Sequence, residues 1–158
     1  MEEQNEKFMR AAIELAKQGM DGNHGGPFGA VVVKGNQIIA KGYNQVTSSN
    51  DPTAHAEVVA IREACKVLNT FQLEGCTIYT SCEPCPMCLG AIYWARPDKV
   101  VFGATKQDAA SAQFDDQFIY DELETELSRR HIQFENLMRD EAREVFDAWN
   151  KKEDKKNY

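Results

Sequence analysis

The sequence lacks the segments that carry a protein into or across a membrane. No apolar run approaches the roughly 20 residues that a spanning helix needs. Residues 1–5 have neither the basic start nor the apolar core of a signal peptide. We therefore expect a cytoplasmic protein with no membrane partner. Repeats and low-complexity segments are also missing, apart from a charged tail at 151–156, so we expect one domain over residues 1–158.

An excess of positive charge is lacking as well. The chain has 18 Lys and Arg against 25 Asp and Glu, which gives a formal net charge of −7. Nucleic-acid-binding proteins gather basic residues against the phosphate backbone. We therefore expect no nucleic-acid partner and a small-molecule substrate.

Cysteines are few, and their number, five, is odd. Three of them fall close together as Cys82, Cys85 and Cys88. Thiols stay reduced in the cytoplasm, so this crowding indicates a metal site before it indicates a disulfide. Cys65 and Cys76 lie in apolar patterns and are predicted to be core residues.

The pattern of apolar residues predicts an α/β fold. Four β-branched runs predict strands, and longer segments with apolar residues at helical spacing predict helices. A turn at Gly35 and Asn36 joins the first two strands into a hairpin. Alternating strands and helices favour a partly parallel sheet. The predicted elements are a first helix that ends near Gly19, strands over 30–34, 37–40, 76–80 and 99–103, and helices over 54–68, 87–95, 117–123 and around 141–149.

Two short segments, 53–57 and 81–88, hold the residues with chemical potential, and each begins a predicted helix. His55, Cys85 and Cys88 offer one imidazole and two thiolates, which zinc binds readily. Two cysteines three apart on a first helical turn point the same way, and the positive end of the helix favours thiolates. We predict one zinc ion per active site, with a fourth position for water or hydroxide.

Glu57 lies two residues after His55, where it is better placed to reach a water than to bind the metal itself. A carboxylate there can take a proton from water and deliver it to a ring nitrogen. His-x-Glu followed by Pro-Cys-x-x-Cys is typical of zinc nucleobase deaminases. The alternative is a structural zinc module with Cys82 as a fourth ligand, but such a site gives no reason for Glu57.

On these motifs the chain resembles the cytidine-deaminase-like superfamily, and over nearly its full length the small bacterial guanine deaminases. The resemblance implies a three-layer α/β/α sandwich with a central mixed five-stranded sheet. It also implies zinc-dependent hydrolysis of guanine to xanthine and ammonia. The segment 109–120 and the terminal Tyr158 narrow the choice, because the relatives that edit tRNA adenosine look different there and tend to be more basic. Deamination of tRNA adenosine or of cytosine is the alternative.

The resemblance further implies a substrate pocket. Asn44 matches a residue that hydrogen-bonds the base edge, and Phe28 and Trp94 match aromatics that border the purine ring. Asp116 matches an acid that contacts guanine and assists proton transfer, which makes it the second catalytic residue beside Glu57. The implied substrate-binding residues are Asn44, Phe28, Ala56, Trp94 and Tyr158.

Most of these pocket residues also have a purely structural interpretation. Phe28 and Trp94 could be packing residues, and Asn44 could be a turn residue at the end of a strand. Asp115 and Asp116 could cap the following helix.

The C-terminal segment has two interpretations. A charged tail would ordinarily fray. The resemblance instead implies a homodimer in which residues 135–158 or so are swapped, so that Tyr158 closes the partner's pocket.

Overall fold

The computed structural model describes residues 2–158. They divide into two compact units, of which the first ends at Asp116 and the second spans Gln117–Tyr158. The division falls earlier than the 135–158 segment expected to be swapped, and the swap itself stays a prediction. Of the helices within residues 2–158, none is both long and apolar enough to cross a bilayer.

The first unit alternates helices and strands. Its elements are α1 (Glu2–Asp21), β1 (Gly29–Lys34), β2 (Gln37–Tyr43), α2 (Val46–Ser49), α3 (Ala56–Leu68), β3 (Cys76–Cys82), α4 (Pro86–Ala95), β4 (Lys99–Ala104) and α5 (Lys106–Ser111). The hairpin turn between β1 and β2 is confirmed, since Gly35 and Asn36 both adopt left-handed backbone conformations with φ of 55° and 67°.

The sheet has four strands in the order β2-β1-β3-β4. The β1–β2 and β1–β3 pairs are antiparallel, and β3 and β4 are parallel, so the predicted mixed sheet is confirmed. The expected fifth strand is wrong for the part of the chain that the structure describes. Each of the four strands has a β-branched run of its own, whereas the fifth depended on the resemblance alone. After Ala104 the described chain forms only helices, turns and irregular segments.

Helices cover both faces of the sheet. On one face Phe8 of α1 packs on Tyr79 of β3, with ring centroids 5.3 Å apart, beside Val31 and Val33. On the other face α3 and α4 pack on the sheet. The buried residues that α3 and α4 contribute there are Ala56, Ala60, Ala64, Ile92 and Ala95. The three-layer α/β/α arrangement is therefore confirmed.

Small residues let these layers approach closely. A Cβ on Gly42 of β2 would lie 2.5 Å from the Ala56 carbonyl oxygen of α3. Gly19 was expected to end α1, yet the helix continues to Asp21. A Cβ at Gly19 would lie 2.8 Å from the Tyr43 ring. Gly19 is therefore a packing residue rather than a helix stop.

The second unit contains α6 (Gln117–Glu124), a 3₁₀ turn (Leu127–Arg129) and α7 (Arg139–Lys151). None of its residues is buried. Val145, Phe146 and Trp149 of α7 recur at helical spacing and are 69%, 70% and 38% exposed.

Candidate active site

The starts of α3 and α4 form the framework of the site. His55 is the N-cap of α3 and Cys85 is the N-cap of α4, each with an extended backbone. Neither side chain caps its helix, so both remain available for other partners. Pro86 follows Cys85 at the first helical position, where its missing N–H costs nothing and its fixed φ suits the helix.

These two helix starts bring together three side chains that could hold a metal ion. The Sγ atoms of Cys85 and Cys88 each lie 3.5 Å from Nδ1 of His55. The three ligand atoms lie within 4.8 Å of one another. Cys88 is buried, while His55 and Cys85 are half-buried, so the cluster lies at the edge of the core with an open side.

The donor set fits zinc. Tetrahedral zinc, with a Zn–N bond of about 2.0 Å and a Zn–S bond of about 2.3 Å, separates nitrogen from sulfur by roughly 3.5 Å. Both nitrogen–sulfur distances match this value. One imidazole and two thiols are also the ligands that zinc prefers, and three protein ligands are typical of a catalytic site.

Contacts within the cluster shift the pKa values of all three of its residues. Hydrogen bonds from Cys88 and, to a smaller extent, with His55 together lower the pKa of Cys85 to about 4, although burial opposes the shift. The hydrogen bond with Cys85 in turn raises the pKa of His55. The pKa of Cys88 is raised, first by its hydrogen bond to Cys85 and then by burial. Cys85 is therefore the thiolate of the pair, which is the form that binds metal.

Glu57 lies directly beside the cluster, in the first turn of α3. The residue is 6% exposed, and burial raises the pKa of its carboxyl group. Oε2 lies 3.4 Å from Sγ of Cys88, and Oε1 accepts a hydrogen bond of 3.1 Å from Thr80. A buried carboxyl group with a raised pKa can carry a proton near neutral pH.

The sequence motif gave no indication of Thr80. Its hydroxyl hydrogen-bonds Glu57 from β3, and the residue is only 1% exposed. One signal was available, because a threonine that would be buried in a strand must find a partner for its hydroxyl.

Asp116 interacts electrostatically with Cys85, one of the three candidate metal ligands. Burial raises the pKa of Asp116 most, and the charge of Cys85 adds to the rise. Burial together with the charges of Glu57, Glu83 and Asp116 raises the pKa of Cys82 to about 11. Asp116 is half-buried, whereas Asp115 is exposed.

Asn44 follows β2 and ties two loops together. Its Oδ1 accepts hydrogen bonds from the backbone N–H groups of Gly26 (3.3 Å) and Val46 (3.1 Å). Its own backbone N–H donates to the carbonyl of Phe28 at 3.0 Å. The structural role considered for Asn44 is thus present. Because Oδ1 is engaged twice, the amide NH₂ is the group that Asn44 can direct toward a ligand.

The two predicted aromatic residues lie in different environments. Phe28 is half-buried, packs partly against the core, and meets the ring of Phe114 edge-on with centroids 5.0 Å apart. Trp94 of α4 is 62% exposed. The alternative that Trp94 packs between helix and sheet is therefore wrong.

The last two predicted substrate-binding residues differ sharply in exposure. Ala56, the first residue of α3, has no exposed surface on either its side chain or its backbone. Tyr158, in the second unit, is 70% exposed.

Cys82, the residue that a closed structural zinc site would need, is turned elsewhere. Its Sγ lies 3.7 Å from the carbonyl oxygen of Thr105. Among residues 2–158, the group that could hold a metal consists of His55, Cys85 and Cys88 without Cys82. Cys82 is buried at the end of β3.

A family model described as the cytidine and deoxycytidylate deaminase zinc-binding region matches residues 2–104. The match includes both helix starts that form the metal cluster. The chain therefore belongs to this zinc-binding deaminase family, which confirms the superfamily predicted from the motifs.

Particular relatives narrow the comparison. The guanine deaminase of Bacillus subtilis (strain 168) is 55% identical over 154 residues, which cover 98% of this chain and 99% of that protein. The crystal structure of guanine deaminase from Bacillus subtilis superimposes with a TM-score of 0.94 at 56% identity, covering 97% and 98% of the two chains. A guanine deaminase from Nitrosomonas europaea has a TM-score of 0.66 at 27% identity, covering 91% and 83%.

Relatives that act on tRNA match a shorter part of the chain. The tRNA-specific adenosine deaminase of Aquifex aeolicus (strain VF5) is 46% identical over 99 residues, which cover 63% of this chain and 65% of that protein. The likeness to the Bacillus subtilis guanine deaminase thus extends well beyond the part that this tRNA deaminase shares.

Proposed function

We propose that this protein is a zinc-dependent guanine deaminase, which hydrolyses guanine to xanthine and ammonia. The observation that carries the proposal is the 55% identity to the guanine deaminase of Bacillus subtilis over 98% of the chain. The family match ends at residue 104. Most of the remaining chain is therefore also shared with a guanine deaminase.

His55, Cys85 and Cys88 would hold one zinc ion, because their three donor atoms have the separations and the chemistry that zinc requires. When bound, zinc would act as a Lewis acid that lowers the pKa of a water molecule toward neutrality.

Glu57 moves the protons of the reaction. Its carboxylate takes the proton that water gives up as it attacks the ring carbon bearing the amino group. Glu57 then protonates the adjacent ring nitrogen. It next takes the remaining proton from the hydroxyl group added at the ring carbon and passes it to the amino group, which leaves as ammonia while the C=O bond forms. Its burial beside Cys88, with a raised pKa, suits a group that must both accept and release a proton.

The residues around the cluster orient the purine. Asn44 presents its NH₂ group as a donor toward acceptors on the base edge, because its oxygen is engaged by two backbone N–H groups. Phe28 and Trp94 offer aromatic surface to the flat base. Asp116 contacts the guanine amino group and assists its departure, in keeping with its interaction with Cys85.

The second unit supports a homodimer. A unit with no buried residue and an apolar stripe on α7 does not form a core of its own. We infer that a second copy of the chain covers this stripe and that residues 135–158 or so reach the partner's site, where Tyr158 closes the pocket.

We also place the protein in the cytoplasm. All five cysteines are free thiols, and the proposed metal site needs Cys85 and Cys88 reduced. A reducing compartment preserves them.

Ammonia release from guanine, adenine, cytosine and a tRNA tests the assignment. The purified zinc-loaded protein is incubated with each of the four in separate reactions. We expect ammonia from guanine at a rate well above the other three, with xanthine as the second product. Preferred release from tRNA would favour the activity of the relative from Aquifex aeolicus, and release from none would favour a structural zinc site.

A further inference from the structure

Thr80 connects the sheet to the proposed proton carrier. Its Oγ1 lies 3.1 Å from Oε1 of Glu57 and 3.1 Å from the carbonyl oxygen of Cys82. The hydroxyl has one proton for two acceptors. When Glu57 is ionised, as it must be to accept a proton from water, its carboxylate forms the stronger hydrogen bond with this hydroxyl, and Thr80 then donates to Glu57.

The backbone of Thr80 is among the most firmly held in the sheet. β3 lies between β1 and β4, and Thr80 pairs with Ala30 on one side and with Phe102 on the other. A β-branched side chain in a strand also has few accessible rotamers. The hydroxyl is therefore a fixed point from which the carboxylate can be aimed.

The two oxygens of Glu57 have different neighbours. Oε1 faces Thr80, whereas Oε2 faces Sγ of Cys88 at 3.4 Å. As a zinc ligand Cys88 would be a thiolate, which has no proton to donate to Oε2. Of the two side chains that hydrogen-bond the carboxylate within residues 2–158, Thr80 is then the one that keeps its donor.

We propose that Thr80 is a positioning residue of the deaminase. Its hydroxyl holds Oε1 of Glu57 against β3, so that Oε2 stays directed toward the metal side of the site. Thr80 does not touch the reacting atoms. The inference rests on the proposed function only for its kinetic consequence, because the orientation of Glu57 can be observed directly.

Thr80→Val tests the proposal, since valine keeps the shape and the strand preference of threonine but lacks the hydroxyl. We expect kcat for guanine to fall about 10- to 100-fold, as for other losses of groups that orient catalytic residues. KM and bound zinc should stay near their wild-type values. Thr80→Ser, which restores the hydroxyl, should recover most of kcat.

Thr77→Val is the matched control. Thr77 lies on the same strand, on the face toward α1 rather than α3, so the same chemical change should leave kcat unaltered. If Thr80→Val does not fold, Thr80→Ala also removes the hydroxyl without adding bulk. A Thr80→Val enzyme with wild-type kcat overturns the inference.

Crystal structures of the zinc-loaded wild type, Thr80→Val and Thr80→Ser provide a readout that is independent of activity. We expect one Glu57 conformer in the wild type and in Thr80→Ser, and a rotated or second conformer in Thr80→Val. An unchanged single conformer in Thr80→Val contradicts the proposal, even if guanine is not the substrate. Failure of wild-type turnover with the expected conformers would refute only the guanine assignment.

Discussion

The two units of the chain differ in how they use apolar residues. The unit that ends at Asp116 buries them between a sheet and two helix layers. The unit over Gln117–Tyr158 buries none, and α7 leaves Val145 and Phe146 largely exposed. The first unit has the construction of a self-sufficient fold, whereas the second has that of a segment completed by another surface.

The boundary between the two units also lies close to the end of the region that matches the zinc-binding family. The zinc-binding family matches residues 2–104, within the first unit. The Bacillus subtilis guanine deaminase is similar over 98% of the chain. We therefore expect changes at the candidate metal cluster and Glu57, in the first unit, to affect metal binding or the chemical step, and changes at Tyr158 to affect the enclosure of substrate.

The largest effect is expected from Cys85→Ser in the first unit. Serine cannot replace the thiolate in zinc binding, so the variant should lose both zinc and turnover. Its thermal unfolding midpoint should fall with the metal, since metal-binding free energy contributes to folding. Metal analysis measures the zinc content, and calorimetry measures the unfolding midpoint. Cys65→Ser, a half-buried cysteine outside the cluster, is the control and should retain zinc.

Glu57→Gln should separate chemistry from metal binding within the first unit. The amide keeps the size of the side chain but cannot shuttle a proton, so kcat should fall by about 10²- to 10⁴-fold while zinc content stays at the wild-type level. Steady-state kinetics with metal analysis checks this. Glu63→Gln, on the exposed side of the same helix, should match the wild type. Near-normal turnover in Glu57→Gln would exclude it as the proton carrier.

Asp116→Asn probes the end of the first unit. Its carboxyl group is half-buried and interacts with Cys85, so we expect kcat/KM for guanine to fall about 10- to 100-fold as one contributor to proton transfer is lost. The exposed neighbour Asp115 provides a matched control. In Asp115→Asn, kcat/KM for guanine should fall much less. Equal losses in the two variants would indicate a role in the local fold rather than in catalysis.

Mixing two inactive variants tests whether the second unit serves a partner. One subunit carries Glu57→Gln with Tyr158 intact, and the other carries Tyr158→Ala with Glu57 intact. If the tail closes the partner's site, half of the dimers regain one site, so turnover should recover to about a quarter of the wild-type value. Activity is measured after denaturing and refolding the mixture. No recovery would show that Tyr158 acts on its own subunit or not at all.

Much of the fold could be predicted because its signals are local. β1 and β3 contain β-branched runs, and the turn at Gly35 and Asn36 has the residues that a tight hairpin needs. The fifth strand had no such local signal. The predicted end of α1 was wrong because the sequence alone does not distinguish a glycine that ends a helix from one, such as Gly19, that packs closely on Tyr43.

The metal cluster could also be predicted, whereas its surroundings could not. Two sequence motifs mark the starts of two helices, and these starts bring the candidate ligands together. The ligands are His55, Cys85 and Cys88. The contact of Thr80 with Glu57 spans 23 residues of sequence and depends on how α3 lies on β3. The edge-on packing of Phe28 on Phe114 depends likewise on tertiary structure. No periodicity or motif encodes such distances.

The close approach of Gly42 to α3 has a consequence for how the enzyme can change. A methyl group at position 42 would meet the Ala56 carbonyl oxygen at 2.5 Å and the Ala60 nitrogen at 2.8 Å. It would act as a wedge beneath the helix turn that carries Glu57, one residue beyond Ala56. The position of α3, which carries Glu57, the proposed proton carrier, and His55, a proposed zinc ligand, therefore depends on a residue that is neither, and we expect a larger side chain at position 42 to displace that helix start.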